Sequence, residues 1–95
     1  MNIAIVGATG NVGRKILEVL EKKELAIDNL YLLASSRSAG SKINFNGNEH
    51  EVIDLETFDF SKVKITFFAA GGKISENFVE IAAKHSFVID NSSFY

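Results

Sequence analysis

The chain has 95 residues, 46% of them apolar, with ten lysines and arginines against twelve acids, a net charge of −2, and neither cysteine nor proline. That length makes one small domain, which buries roughly 60–65% of its unfolded surface. The composition excludes disulfides and thiol chemistry, the interspersed charges exclude a field suited to nucleic acid or a membrane surface, and no run of about 18 apolar residues is present to span a bilayer.

Met1 leads straight into Asn2–Val6, an apolar run ending at glycine, as in a buried parallel strand. No room is left for a signal peptide, which with the absent cysteines predicts a cytoplasmic protein. Asn11–Lys23 carries Val12, Ile16, Leu17, Val19 and Leu20 at mainly helical spacing, with Arg14, Lys15, Glu18, Glu21 and Lys22 mostly on the other face. Residues 30–34 (LYLLA) read as a second buried strand and residues 35–41 as a polar loop. Asn46-Gly47 then separates two short alternating runs, 42–45 and 49–53; this dipeptide tolerates the positive φ of a tight hairpin. Residues 57–61 suit a turn of helix and 65–69 a strand broken by Gly71-Gly72. Residues 75–85 suit a helix with Ser75 as N-cap and Phe78, Val79, Ile81 and Ala82 inward. Phe87–Asp90 is the last strand, followed by the polar turn 91–93.

Strands alternating with helices predict an α/β, Rossmann-like fold: a mostly parallel sheet with flanking helices and a small antiparallel hairpin. Residues 1–95 then form one dinucleotide-binding domain that lacks the later strands of the full fold.

Gly7, Gly10 and Gly13 fall between the first strand and the first helix as G-x-x-G-x-x-G. In dinucleotide-binding loops the first glycine permits the tight turn, the middle one lets backbone approach a pyrophosphate, and the third lets the helix pack close. The helix start then presents unpaired N–H groups and a positive dipole end. The plainer reading is a tight strand–helix connection, but the position after a buried strand and before an amphipathic helix favours nucleotide binding. No G-K-[ST] follows, so the loop is not a P-loop.

The end of the second strand selects the nucleotide. An NAD site places an acid there to hold the ribose hydroxyls. This chain has Ala34-Ser35-Ser36-Arg37-Ser38, while Asp28 precedes the strand. A guanidinium among hydroxyls suits a 2′-phosphate, so the cofactor is read as NADP, against the plainer reading of Arg37 as a solvated loop cation. Ala70-Gly71-Gly72 suits either close backbone approach to the cofactor or a simple turn. Residues 90–93 suit either the nicotinamide end or a simple turn.

Other candidates carry no chemistry. His50 and His85 lack a ligand partner at metal spacing, so no metal site is expected. The phenylalanines are assigned mostly to the core. Glu49, Glu51, Asp54 and Glu56 read as a solvated edge that discourages strand-to-strand association. No Tyr-x-x-x-Lys pair of a short-chain dehydrogenase exists, Tyr31 being in a strand and Tyr95 terminal, and no nucleophile–base pair can be assembled.

GATGNVG after an N-terminal strand, then LLASSRSAG, then VIDNSSFY, together resemble the aspartate-β-semialdehyde dehydrogenase family across all 95 residues. GATG is common among reductases; the serine–arginine loop with a late DNSS is more specific. The resemblance implies an NADP-dependent enzyme that reduces β-aspartyl phosphate to aspartate semialdehyde, on the route to lysine, threonine and methionine. It implies a cysteine that attacks the acyl phosphate, hydride transfer to the thioester, and a histidine for acid–base catalysis. It also implies that Thr9, Gly10, Asn11 and Val12 line the pyrophosphate, that Ser35, Arg37 and Ser38 take the 2′-phosphate, and that Ala70 and Gly71 run along the cofactor. Family members run to about three times this length, so the catalytic and dimerisation domain, with its cysteine and histidine, lies outside this chain. The 95 residues are therefore expected to bind NADP without turnover, and the parent enzyme to be a homo-oligomer through the part not present. Acetylglutamyl-phosphate reductase is the second resemblance, and a non-catalytic NADP-sensing module the alternative of a different class.

Overall fold

A computed structural model describes residues 1–23 and 25–90. Six strands, β1 (Asn2–Val6), β2 (Asn29–Ala34), β3 (Lys42–Phe45), β4 (Asn48–Asp54), β5 (Ile65–Phe68) and β6 (Phe87–Asp90), form one sheet in the order β3-β4-β2-β1-β5-β6. Every pairing is parallel except the β3–β4 hairpin. Two helices, α1 (Asn11–Lys23) and α2 (Gly72–Ala83), complete the α/β architecture. The central strand β1 is buried on both faces, which is why it reads as an unbroken apolar run.

Strand alternation sends side chains to two separate cores. Ile3, Ile5, Leu30, Leu32 and Val52 pack with Leu17 and Leu20 of α1. Ala4, Val6, Leu33 and Phe68 pack on the other side with Ala82 of α2 and with Leu55, Phe60 and Val63 from the β4–β5 connection. That connection is two single 3₁₀ turns, Leu55–Thr57 and Phe60–Lys62, where one helical turn over 57–61 was expected. The reason is a pair of aspartate caps: Asp54 accepts from the Glu56 N–H at 3.0 Å, and Asp59 accepts from the Ser61 N–H at 3.0 Å and its hydroxyl at 2.7 Å. The two Ser61 bonds hold the Asp59 carboxyl below its ordinary value. Tyr31, Phe58, Phe60 and Phe68 form a continuous aromatic run, with successive centroids 5.1, 5.1 and 6.5 Å apart.

The hairpin forms as predicted, with Asn46 at φ 52° and Gly47 at φ 82°. Its turn is tied to α1 by the Asn46 N–H, which donates to Glu21 Oε2 at 2.8 Å. Two further expectations are corrected. Helix α2 begins three residues before Ser75, with Gly71 as its N-cap and no side-chain cap bond. Ile81 is 47% exposed, because Ala82, Phe78 and Val79 already fill the contact with the sheet. Phe87 is 70% exposed, on the sheet face that α1 leaves open beyond β5. The turn at 91–93 and Tyr95 lie outside the described residues.

Candidate functional site

The carboxyl ends of β1, β2 and β5 meet at one edge of the sheet, with the start of α1 above them. Gly7 leaves β1 with φ 85°. Its N–H and that of Ala8 both donate to the Leu33 carbonyl, at 2.8 and 3.2 Å, which pins the loop to β2. A Cβ on Gly7 would lie 2.7 Å from the Ala70 amide nitrogen, so the loop also abuts the end of β5. Gly13 is buried in α1, where a Cβ would collide with the Gly7 carbonyl and lie 2.7 Å from the Ala8 Cα. Only glycine lets the helix sit this close. At Gly10 a Cβ would meet only the Gly7 carbonyl, at an ordinary 3.6 Å. The chain itself does not crowd that position.

The Gly10 carbonyl accepts the Arg14 N–H at 3.0 Å and so opens α1. The amides of Asn11, Val12 and Gly13 have no acceptor among the described residues. No acid stands in the first turn to satisfy them. They form a donor set with positive helix-end potential, the arrangement that accepts an anion.

A cavity of about 260 Å³ opens at this edge. Gly7, Thr9, Gly10, Ser35, Ser38, Ala70 and Gly71 line it, over an apolar floor of Val6, Ala34, Leu55 and Ala69. Three stretches far apart in sequence thus meet as expected. Four predicted residues do not line the cavity. Asn11 contributes at the helix start, and Gly13 is packing beneath the loop. Val12 lines an apolar groove with Ile16, Val19 and Phe67 and not the cavity, which leaves its backbone amide to an anion. Arg37 is exposed in the turn after β2, with no ion pair or hydrogen bond among the described residues.

Two residues were missed. Arg14 donates from Nε to the Thr9 carbonyl at 3.3 Å, placing a guanidinium beside the loop. A cation in a helix's first turns opposes the macrodipole, and that mismatch was the available signal. Asp54 stands opposite Ala34 at the parallel ends of β4 and β2, half-buried instead of solvated. Its neighbours Glu49, Glu51 and Glu56 are exposed, as a solvated edge requires. Among the described residues no acid–histidine cluster could hold a metal ion, and no helix is long and apolar enough to cross a membrane.

Residues 2–95 match the family model described as semialdehyde dehydrogenase, NAD binding domain. The chain belongs to this semialdehyde dehydrogenase domain family. It is similar to aspartate-semialdehyde dehydrogenase of Shewanella sp. (strain DB6705), 45% identical over 95 residues that cover 99% of this chain and 28% of the relative. Among solved structures it superposes on aspartate semialdehyde dehydrogenase II of Vibrio cholerae with a TM-score of 0.92 at 49% identity, covering 97% of this chain and 30% of that one. It also superposes on a probable aspartate-semialdehyde dehydrogenase of Pseudomonas aeruginosa with a TM-score of 0.94 at 40% identity, covering 100% of this chain and 29% of that one. The chain therefore spans under a third of the length of the relatives it matches. As a semialdehyde dehydrogenase NAD-binding domain it takes a nicotinamide cofactor.

Proposed function

We propose that these residues are the NADP-holding domain of an aspartate-semialdehyde dehydrogenase. Such an enzyme reduces β-aspartyl phosphate to the semialdehyde in the cytoplasmic synthesis of lysine, threonine and methionine. The observation that carries the reading is the cavity where the glycine loop, the serine–arginine turn and Ala70-Gly71 converge at the strand ends. Its donor set fits a dinucleotide. Free amides at the start of α1 suit the pyrophosphate, and the open space over Gly10 leaves room for its close approach. Ser35, Ser38 and Arg37 suit the 2′-phosphate, with the guanidinium supplying charge-assisted bonds and unspent on any described partner. Ala70 and Gly71 suit the run of the cofactor toward its reactive end.

When bound, the cofactor supplies hydride. The role of this chain is to bind, orient and discriminate. It has no cysteine, and neither His50 nor His85 lines the cavity. The nucleophile and acid–base groups that reduction of an acyl phosphate demands are thus not among these residues, and the 95-residue chain binds without turnover.

Side-by-side titration with NADPH and NADH tests the reading. The chain binds NADPH more tightly, and Arg37→Ala weakens NADPH by about tenfold or more, the value of one to two charged hydrogen bonds, while NADH changes little. Equal losses for the two cofactors would remove the 2′-phosphate assignment. Binding of neither would overturn the cofactor reading.

A further inference from the structure

We propose that Asp54 reads the base of the dinucleotide by accepting a hydrogen bond from the exocyclic amino group of adenine; the inference rests on the cofactor reading above. A second cavity of about 210 Å³ adjoins the first and shares Ser35 and Leu55 with it. Asp54, Ser36, Asn77 and Phe78 complete most of its lining. A ligand that fills the first cavity and continues past Ser35 enters the second.

The chemistry of this second cavity differs from that of the first. It holds two carboxylates, Asp54 and Glu56, and no cation, so it repels a phosphate. Leu55 and the Phe78 ring offer apolar surface for a flat ring system. What remains for a carboxylate to recognise is a donor on that ring. An ionised carboxylate only accepts, and an aromatic amine donates.

Asp54 is better placed than Glu56. It ends β4 directly beside the end of β2, in the register Ala34↔Asp54. Its Oδ1 is held by the Glu56 N–H at 3.0 Å, which fixes the side chain, and Oδ2 has no partner among the described residues. Glu56 is exposed and unheld. A purine carrying a carbonyl oxygen in place of the amino group would set acceptor against acceptor, the mismatch that hydrogen-bonding sites reject most strongly.

The test uses the 95-residue chain, NADPH, and the deaminated analogue that carries hypoxanthine in place of adenine. The wild type favours NADPH over the analogue by about tenfold or more. Asp54→Asn keeps an oxygen for the Glu56 N–H, so the local turn survives, which circular dichroism verifies. In that variant the preference for adenine is lost or reversed, because the oxygen stays with the Glu56 N–H and the amide nitrogen, a donor only, is left to face the base. Removing the negative charge shifts both affinities together, so the ratio is the readout. Glu56→Gln retains the wild-type ratio. Equal binding of the two cofactors by the wild type, or an unchanged ratio in Asp54→Asn, overturns the base assignment and leaves the cofactor reading standing. Binding of neither cofactor overturns the cofactor reading and the base assignment with it.

Discussion

Three glycines at one loop do three different things. Gly7 supplies a left-handed turn, Gly13 admits the helix to the loop, and Gly10 is crowded by nothing in the chain. Alanine at position 13 meets backbone atoms of Gly7 and Ala8 that cannot give way, so Gly13→Ala destabilises the fold by about 1–3 kcal/mol, as overpacking does. Gly10→Ala leaves the unfolding free energy from urea denaturation within about 0.5 kcal/mol of wild type, the range of an uncrowded site, and is expected to weaken NADPH by displacing a phosphate from the loop. A Gly10→Ala chain that unfolds as early as Gly13→Ala would refute this division. The glycine spacing was legible because backbone geometry imposes it on any chain that makes this turn. Asp54 was not, because its burial depends on pairing with a strand some twenty residues away in the chain, and its acidic neighbours disguised it. Val12 divides for a related reason: a first-turn residue presents its amide to the loop and its side chain to the apolar groove.

At the scale of elements, the packing of α2 against β5 turns on one polar contact. Thr66 is fully buried, and its Oγ1 lies 2.8 Å from the Ser86 hydroxyl, which in turn donates to the Ala82 carbonyl at 2.8 Å. With the Ser86 hydrogen committed to Ala82, Thr66 is the donor of the first bond. The two truncations are therefore unequal. Ser86→Ala strands the buried Thr66 hydroxyl and costs about 1–3 kcal/mol; Thr66→Val removes the donor with its need and costs about 1 kcal/mol or less. Urea denaturation of both variants checks the order, and a larger loss for Thr66→Val would show that its hydroxyl bonds elsewhere. Periodicity located α1 and all six strands to within one residue at each end, since each carries a repeating apolar face or an unbroken apolar run. The start of α2 was harder to read. Gly71 caps it without a side-chain bond, so no serine or aspartate marks the boundary, and Ser75 drew the assignment inward.

For the whole molecule, the two sheet faces are covered unequally. α1 lies over β1 and β2, and beyond it the same face carries Phe87, which pairs in register with Ile65. On that face an apolar groove of about 460 Å³ also lies between α1 and Phe67, with Val19 and Leu25 each about two-fifths exposed. Exposed apolar surface of this kind drives association. The chain is expected to self-associate reversibly at high concentration, and Phe87→Lys to shift sedimentation toward the monomer without lowering the urea midpoint. A wild-type chain that sediments as a monomer throughout would contradict this. Composition could not show the imbalance, because an apolar residue reads alike whether or not a neighbour covers it.

The anchoring of the first loop has a kinetic consequence. Gly7 and Ala8 are both bonded to Leu33, and Gly10 is bonded back to Gly7 at 3.1 Å. The anion therefore meets donors already aimed, and little chain entropy is lost on capture. Stopped-flow traces of cofactor capture should be single-phase and linear in ligand concentration, with no slow isomerisation step following the encounter.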